Sequence, residues 1–241
     1  MRLPLSITAL LIAATPLAAQ HQYSLNVDSP ASAMTWDGTT SLGDLKGNKS
    51  LNATGTSALL LDNSSAPFGG GEFNGGHLGT NPATIYAWIP NILPFLPPLA
   101  EIWVKNLDME ARSPHFSIAS SGNFSTDLTM TILSGEIEVQ DLTGGTTITP
   151  LAGTVANPYT ANGTITESGG QVHGHIPIDI SISSSSGSIS FSFSMVGDIY
   201  ADADIQSSGM NLASSVFIHG LQATFDVTGG TPNTGTYLAY S

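Results

Sequence analysis

Apolar and polar residues alternate along much of the chain, most regularly in "HIPIDISISSSSGSISFSFSM" at 175–195. Ile176, Ile178, Ile180 and Ile182 share one parity, and beyond the "SSSSG" tract Ile189, Phe191, Phe193 and Met195 share another. A period of two places each set on one face of an extended chain, so this segment predicts a β-hairpin with a wet face and a buried face. Full burial of its eight apolar side chains contributes about 12 to 24 kcal/mol as an upper bound. Ordering its roughly twenty residues costs about 1 to 2 kcal/mol each, so the hairpin needs another layer to pack against.

The runs "TDLTMTI", "GEIEVQ", "TTITPL" and "VFIHGLQATFDV" supply such a layer. Between runs of this kind stand Asp37-Gly38, Gly144-Gly145, Asn162-Gly163 and Gly229-Gly230, which read as hairpin turns. Short strands with frequent turns predict an all-β fold, an antiparallel β-sandwich or barrel.

Two segments break the alternation and together predict a Gly/Pro-rich apolar insertion at 62–100. Residues 62–82 are rich in Gly, Ser and Asn and read as a long loop. Next comes "IYAWIPNILPFLPPLAEIWVKN", which holds Trp88 and Trp103, two of the three tryptophans, and four prolines. Pro90, Pro94, Pro97 and Pro98 forbid a continuous helix, which argues against a transmembrane span. From Ile102 the pattern favours a strand over a short helix begun at Pro98. Trp88, Ile92, Leu93, Phe95 and Trp103 are then expected to form a lid over the core, with an exposed membrane or partner anchor as the alternative.

The leader "MRLPLSITALLIAATPLAAQ" changes the compartment. One basic residue, an apolar run and small residues near Ala18-Ala19 have the layout of a secretory signal peptide over 1–19. That leaves 20–241 as a single β-rich domain, secreted, periplasmic or at the cell surface. The chain has no Cys, so packing rather than disulfides must stabilise it. Loss of Arg2 leaves 4 basic against 18 acidic residues, a net charge of −14 with His neutral. Such a chain is a poor partner for nucleic acid and for anionic membrane surfaces.

Candidate chemistry is sparse. In "QVHGHIPID", His173 and His175 share a strand face with Cα atoms about 6.7 Å apart, a spacing that suits two ligands of one divalent metal ion. Their parity is opposite to that of Ile176 to Ile182, so the other reading is two solvent-facing histidines. Asp202 and Asp204 share a face, as do Glu136 and Glu138; these read as a Ca²⁺ site and a glycosidase pair, or simply as solvated carboxylates. His21 becomes a copper-chelating N-terminus only if cleavage follows Gln20, and His219 sits on the apolar parity of its run.

"QVHGHIPID" resembles the first half of the cupin motif, with Asp179 in the place of the usual Glu. That resemblance implies a metal-dependent enzyme using His173 and His175. "YSLNVDSPASAMTWDGTT" and "FIHGLQATFDV" are similar to parts of the lipocalin-like polyisoprenoid-binding family, secreted barrels that hold an apolar chain. "VTGGTPNTGTYLAYS" resembles module openings in secreted bacterial proteins. The expectation is therefore a secreted non-catalytic β module. It is either a surface or structural unit, or it binds an apolar or amphiphilic small molecule near Trp88, Ile92, Phe95 and Trp103. The metal enzyme stands as the alternative, and the oligomeric state is left open.

Overall fold

The computed structural model of the chain describes residues 20–186, 189–205, 211–214 and 225–228. The expected leader, His219, the Gly229-Gly230 turn and most of the "VFIHGLQATFDV" run lie outside the described residues. Secondary structure among the described residues is β throughout. The strands are β1 (His21–Val27), β2 (Ala33–Thr40), β3 (Gly43–Asp44), β4 (Lys46–Gly47), β5 (Ser50–Leu61), β6 (Gly70–Asn81), β7 (Thr84–Ile89) and β8 (Ala100–Arg112). They continue with β9 (Phe116–Ser117), β10 (Asn123–Asp141), β11 (Thr146–Pro150), β12 (Tyr159–Ser168), β13 (Gln171–Ser186), β14 (Ile189–Asp204), β15 (Asn211–Ser214) and β16 (Phe225–Thr228).

Strands β15 and β16 pair with each other, and the remaining 14 form one antiparallel sheet. Its hydrogen-bonded path runs β10-β12-β13-β14-β1-β5-β6-β8, and β8 pairs back onto β10. The sheet therefore closes into a barrel-like ring, which removes the exposed edges of those strands. Near β1, the chain breaks at 28–32 and resumes as β2, which pairs with the same two neighbours, β14 and β5. Buried Ser32 bridges the break, its hydroxyl donating to Tyr200 O and accepting from Tyr200 N.

Alternation sets the core. Ile176, Ile178, Ile180 and Ile182 of β13 face inward with Phe191, Phe193 and Met195 of β14, and the two strands pair along their length. Leu25, Leu59, Phe73, Met130 and Ile165 join them as fully buried side chains in one cluster. Trp36 stacks on Phe193 with ring centroids 5.4 Å apart, and Phe116 stacks on Phe124 at 4.8 Å. The outward positions of the same hairpin, such as Ser183 and Ser192, are exposed hydroxyl residues.

Several expectations are corrected. The loop read over 62–82 contains strand β6, whose Phe73 and Leu78 point into the core. Glycine there permits close strand approach: a Cβ on Gly76, at φ +125°, would lie 2.4 Å from Thr56 O of β5. Asp37-Gly38 and Asn162-Gly163 lie within β2 and β12 instead of making turns. A Cβ at Gly38 would meet Leu45 at 2.7 Å, and one at Gly163 would meet His175 O of β13 at 2.3 Å and the Phe124 ring at 2.7 Å, so these glycines make room for a neighbouring side chain or strand. "TDLTMTI" and "GEIEVQ" are one strand, β10, whose register against β8 shifts around Ser134. The segment from 100 onward is strand β8, and the short-helix alternative falls.

Candidate functional site

The Pro-rich segment is the connection between β7 and β8, and it is no lid. Within β7, inward Ile85, Ala87 and Ile89 are buried, so the period of two turns Tyr86 and Trp88 to the outside. Beyond Ile89 the chain leaves the ladder at Pro90 and returns at Ala100. On that excursion Ile92 is 92% exposed, Phe95 79%, Leu93 46% and Leu96 44%. The lid fails for a geometric reason: β7 and β8 pair up to Ile89 and Ala100, so the segment leaves from the strand ends, away from the core.

The segment is locally ordered. Leu99 N donates to Ile89 O at 2.8 Å, closing the hairpin base, and Leu96 N donates to Leu93 O at 3.0 Å. Asn91 pins the loop twice: its Nδ2 donates to Pro97 O at 3.2 Å, and its Oδ1 accepts from Leu93 N at 3.3 Å. Pro90, Pro94, Pro97 and Pro98 carry no N–H at all.

Below the loop, register builds an aromatic patch on the outer face. Trp88 lies opposite Glu101 on β8 and opposite Lys46 on β4. Tyr86 lies opposite Trp103, which in turn faces Glu138 of β10, and Glu138 faces Ile148 of β11. Directly paired residues share a face, so Tyr86, Trp88 and Trp103 form one surface. The Tyr86 ring centroid stands 5.7 Å from Trp88 and 5.6 Å from Trp103. Tyr86 donates to Glu101 Oε1 at 2.5 Å, and that bond to a carboxylate raises the phenol above its ordinary pKa. Lys105 is paired with Glu138 beside them.

A second apolar tip stands next to this hairpin. Asp141 pairs with Ala100, so the β10–β11 turn leaves the sheet at the same end. Asp141 organises it, its Oδ1 accepting from Thr143 N at 2.8 Å, Thr143 Oγ1 at 2.7 Å and Gly145 N at 3.0 Å, which lowers the carboxyl's pKa. Leu142 projects from the turn, 52% exposed. No pattern in the sequence separates such an exposed leucine from a buried one; its place beside the Pro-rich loop follows from strand pairing.

The histidines lie elsewhere, on the outer face of β13. His173 Nδ1 donates to Asp202 Oδ1 at 2.5 Å, and its Nε2 lies 2.9 Å from Ser168 Oγ. His175 Nε2 pairs with Asp198 Oδ1 at 2.7 Å, and its ring stacks on Tyr200 at 4.7 Å. Each histidine thus has its own aspartate. Among the described residues no three His, Cys, Asp or Glu side chains gather into a set that could hold a metal ion. The donors therefore do not converge on one point as a cupin-like centre requires. Asp204 accepts from Gln171 Nε2, and Glu138 is taken by Lys105, so neither expected carboxylate pair stands as a free pair.

No family model matches the chain, and neither a curated protein nor a solved structure matches it. Among the described residues no helix is long and apolar enough to cross a membrane.

Proposed function

We propose that the protein is a secreted non-catalytic β module that docks onto an apolar or amphiphilic surface through the β7–β8 hairpin tip. The observation that supports this is the contrast in exposure: Ile92 and Phe95 stand in solvent, while the core apolar residues of the strands are buried. Burying an exposed Ile or Phe contributes about 1.5 to 3 kcal/mol, so even these two side chains form an effective docking point. The hydrogen bonds of Asn91 and Leu99 hold the tip in shape, which reduces the entropy lost on binding. The apolar ligand expected near Trp88, Ile92, Phe95 and Trp103 is thus met on the outside of the sheet.

Retention on a phenyl-substituted matrix tests this reading. The protein is expected to be retained at moderate salt, and a variant carrying Ile92→Ser with Phe95→Ser to elute without retention while keeping its unfolding midpoint. Equal retention of the two proteins would overturn it.

A further inference from the structure

Resting on that reading, we propose that the surface is an uncharged lipid bilayer, engaged at two points. The β7–β8 loop and the Leu142 turn enter the boundary between headgroups and acyl chains, while Trp88, Tyr86 and Trp103 lie at headgroup level.

Two observations favour lipid, and a third selects its charge. The first is backbone accounting. Groups inserted beneath the headgroups lose water, so unpaired N–H donors there are unfavourable. Of the ten residues from Pro90 to Leu99, four are prolines without a donor, and Leu93, Leu96 and Leu99 donate within the hairpin. Only Asn91, Ile92 and Phe95 keep N–H groups without a partner among the described residues.

The second is the order of side chains along the hairpin. An uncharged apolar tip comes first, then Trp88, then the Tyr86–Trp103 pair two residues further down, about 7 Å along the strands. Tyrosine and tryptophan prefer the interface because each carries a polar group on an apolar ring. A tip followed by such a belt fits insertion of about 5 to 10 Å, the depth of an interfacial anchor. Glu101, opposite Trp88, then shares that headgroup level, and Asp141, opposite Ala100, sits one residue nearer the tip, so both carboxylates lie among the hydrated headgroups.

The third is charge. Lys46 and Lys105 stand among Glu101, Glu136, Glu138 and Asp141 at this end, and the chain as a whole is strongly acidic. Attraction to anionic lipid is therefore absent, and apolar burial must supply the binding. This singles out zwitterionic headgroups.

Flotation with phosphatidylcholine vesicles tests the proposal, alongside the phenyl matrix. The full chain is expected to float with these vesicles and to bind more weakly when a third of the lipid is phosphatidylserine. Leu142→Ser is expected to weaken vesicle binding about tenfold, the loss of one buried leucine, with little change in phenyl retention, which needs only one tip. Ile92→Ser with Phe95→Ser should abolish flotation. Retention on the phenyl matrix without flotation would overturn the bilayer proposal and leave the docking reading standing. Neither retention nor flotation would overturn both. Stronger binding to phosphatidylserine vesicles would overturn the uncharged surface, and self-association abolished by the loop variant, without flotation, would identify the tip as a contact between copies.

Discussion

The Trp103 indole packs against the Tyr86 ring at 5.6 Å, directly opposite it across the β7–β8 pair, on the outside of the sheet. Trp88 flanks Tyr86 on the same face, whereas Trp36 is buried against Phe193. Two classes of tryptophan follow. Acrylamide is expected to quench the emission of Trp88 and Trp103 and to leave a protected fraction from Trp36. Uniform protection of all three would mean that the patch is covered.

Core and tip should respond oppositely to truncation. Met195 is fully buried in the β14 ladder, so Met195→Ala is expected to lower unfolding stability by about 2 to 5 kcal/mol. Phe95→Ser, at an exposed position, should stay within about 0.5 kcal/mol of the parent. Urea denaturation of the two variants checks both values, and a large loss at Phe95 would restore the lid.

Alternation made the β13–β14 hairpin readable residue by residue, because each inward isoleucine repeats with period two. The same rule identified β8, where Ile102 and Val104 are buried and Trp103 and Lys105 point outward. Glycine misled in both directions. Gly38 and Gly163 resemble turn residues in sequence, but what they provide is room for Leu45 in one case and for the His175 carbonyl and the Phe124 ring in the other, and that depends on how the chain folds back on itself. The lid is not separable from a projecting tip in the sequence, because four prolines and five apolar side chains look the same whether the segment folds over a core or projects from it. Strand register decides between these, and register is a property of pairing. The aspartate partners of His173 and His175 were hidden for the same reason, since Asp202 and Asp198 arrive from β14.

These His–Asp pairs lie on a partly solvated face, where screening keeps such pairs to about 0 to 1 kcal/mol. His173→Ala with His175→Ala is accordingly expected to change stability by less than about 1 kcal/mol for each pair removed. Thermal unfolding of this double variant, with metal analysis of parent and variant, provides the check. A stoichiometric transition metal present in the parent and lost in the variant would contradict the picture.

Alkaline pH should expose a buried phenol. Burial, with the Asp179 charge adding to it, holds Tyr159 protonated well above the ordinary tyrosine range. The sign follows from linkage. Above about pH 10 the unfolded chain has lost this proton while the native chain keeps it, so the stabilisation present below that pH is lost as pH rises. Tyr159→Phe removes the titrating group and is expected to give a shallower fall in stability between pH 10 and the alkaline unfolding limit. An identical pH profile for parent and variant would show that Tyr159 ionises alike in both states.

Depth-resolved quenching by brominated phosphatidylcholines tests the membrane-docking account most directly. In a Trp103→Phe background Trp88 is the outward-facing indole, and it should be quenched best by bromines near the headgroups. Moving the reporter to the tip with Phe95→Trp, in a background of Trp88→Phe and Trp103→Phe, should shift maximal quenching deeper into the acyl region. Absence of quenching at both positions in vesicle-bound protein would contradict the account, because the protein would then be meeting the bilayer with some other face.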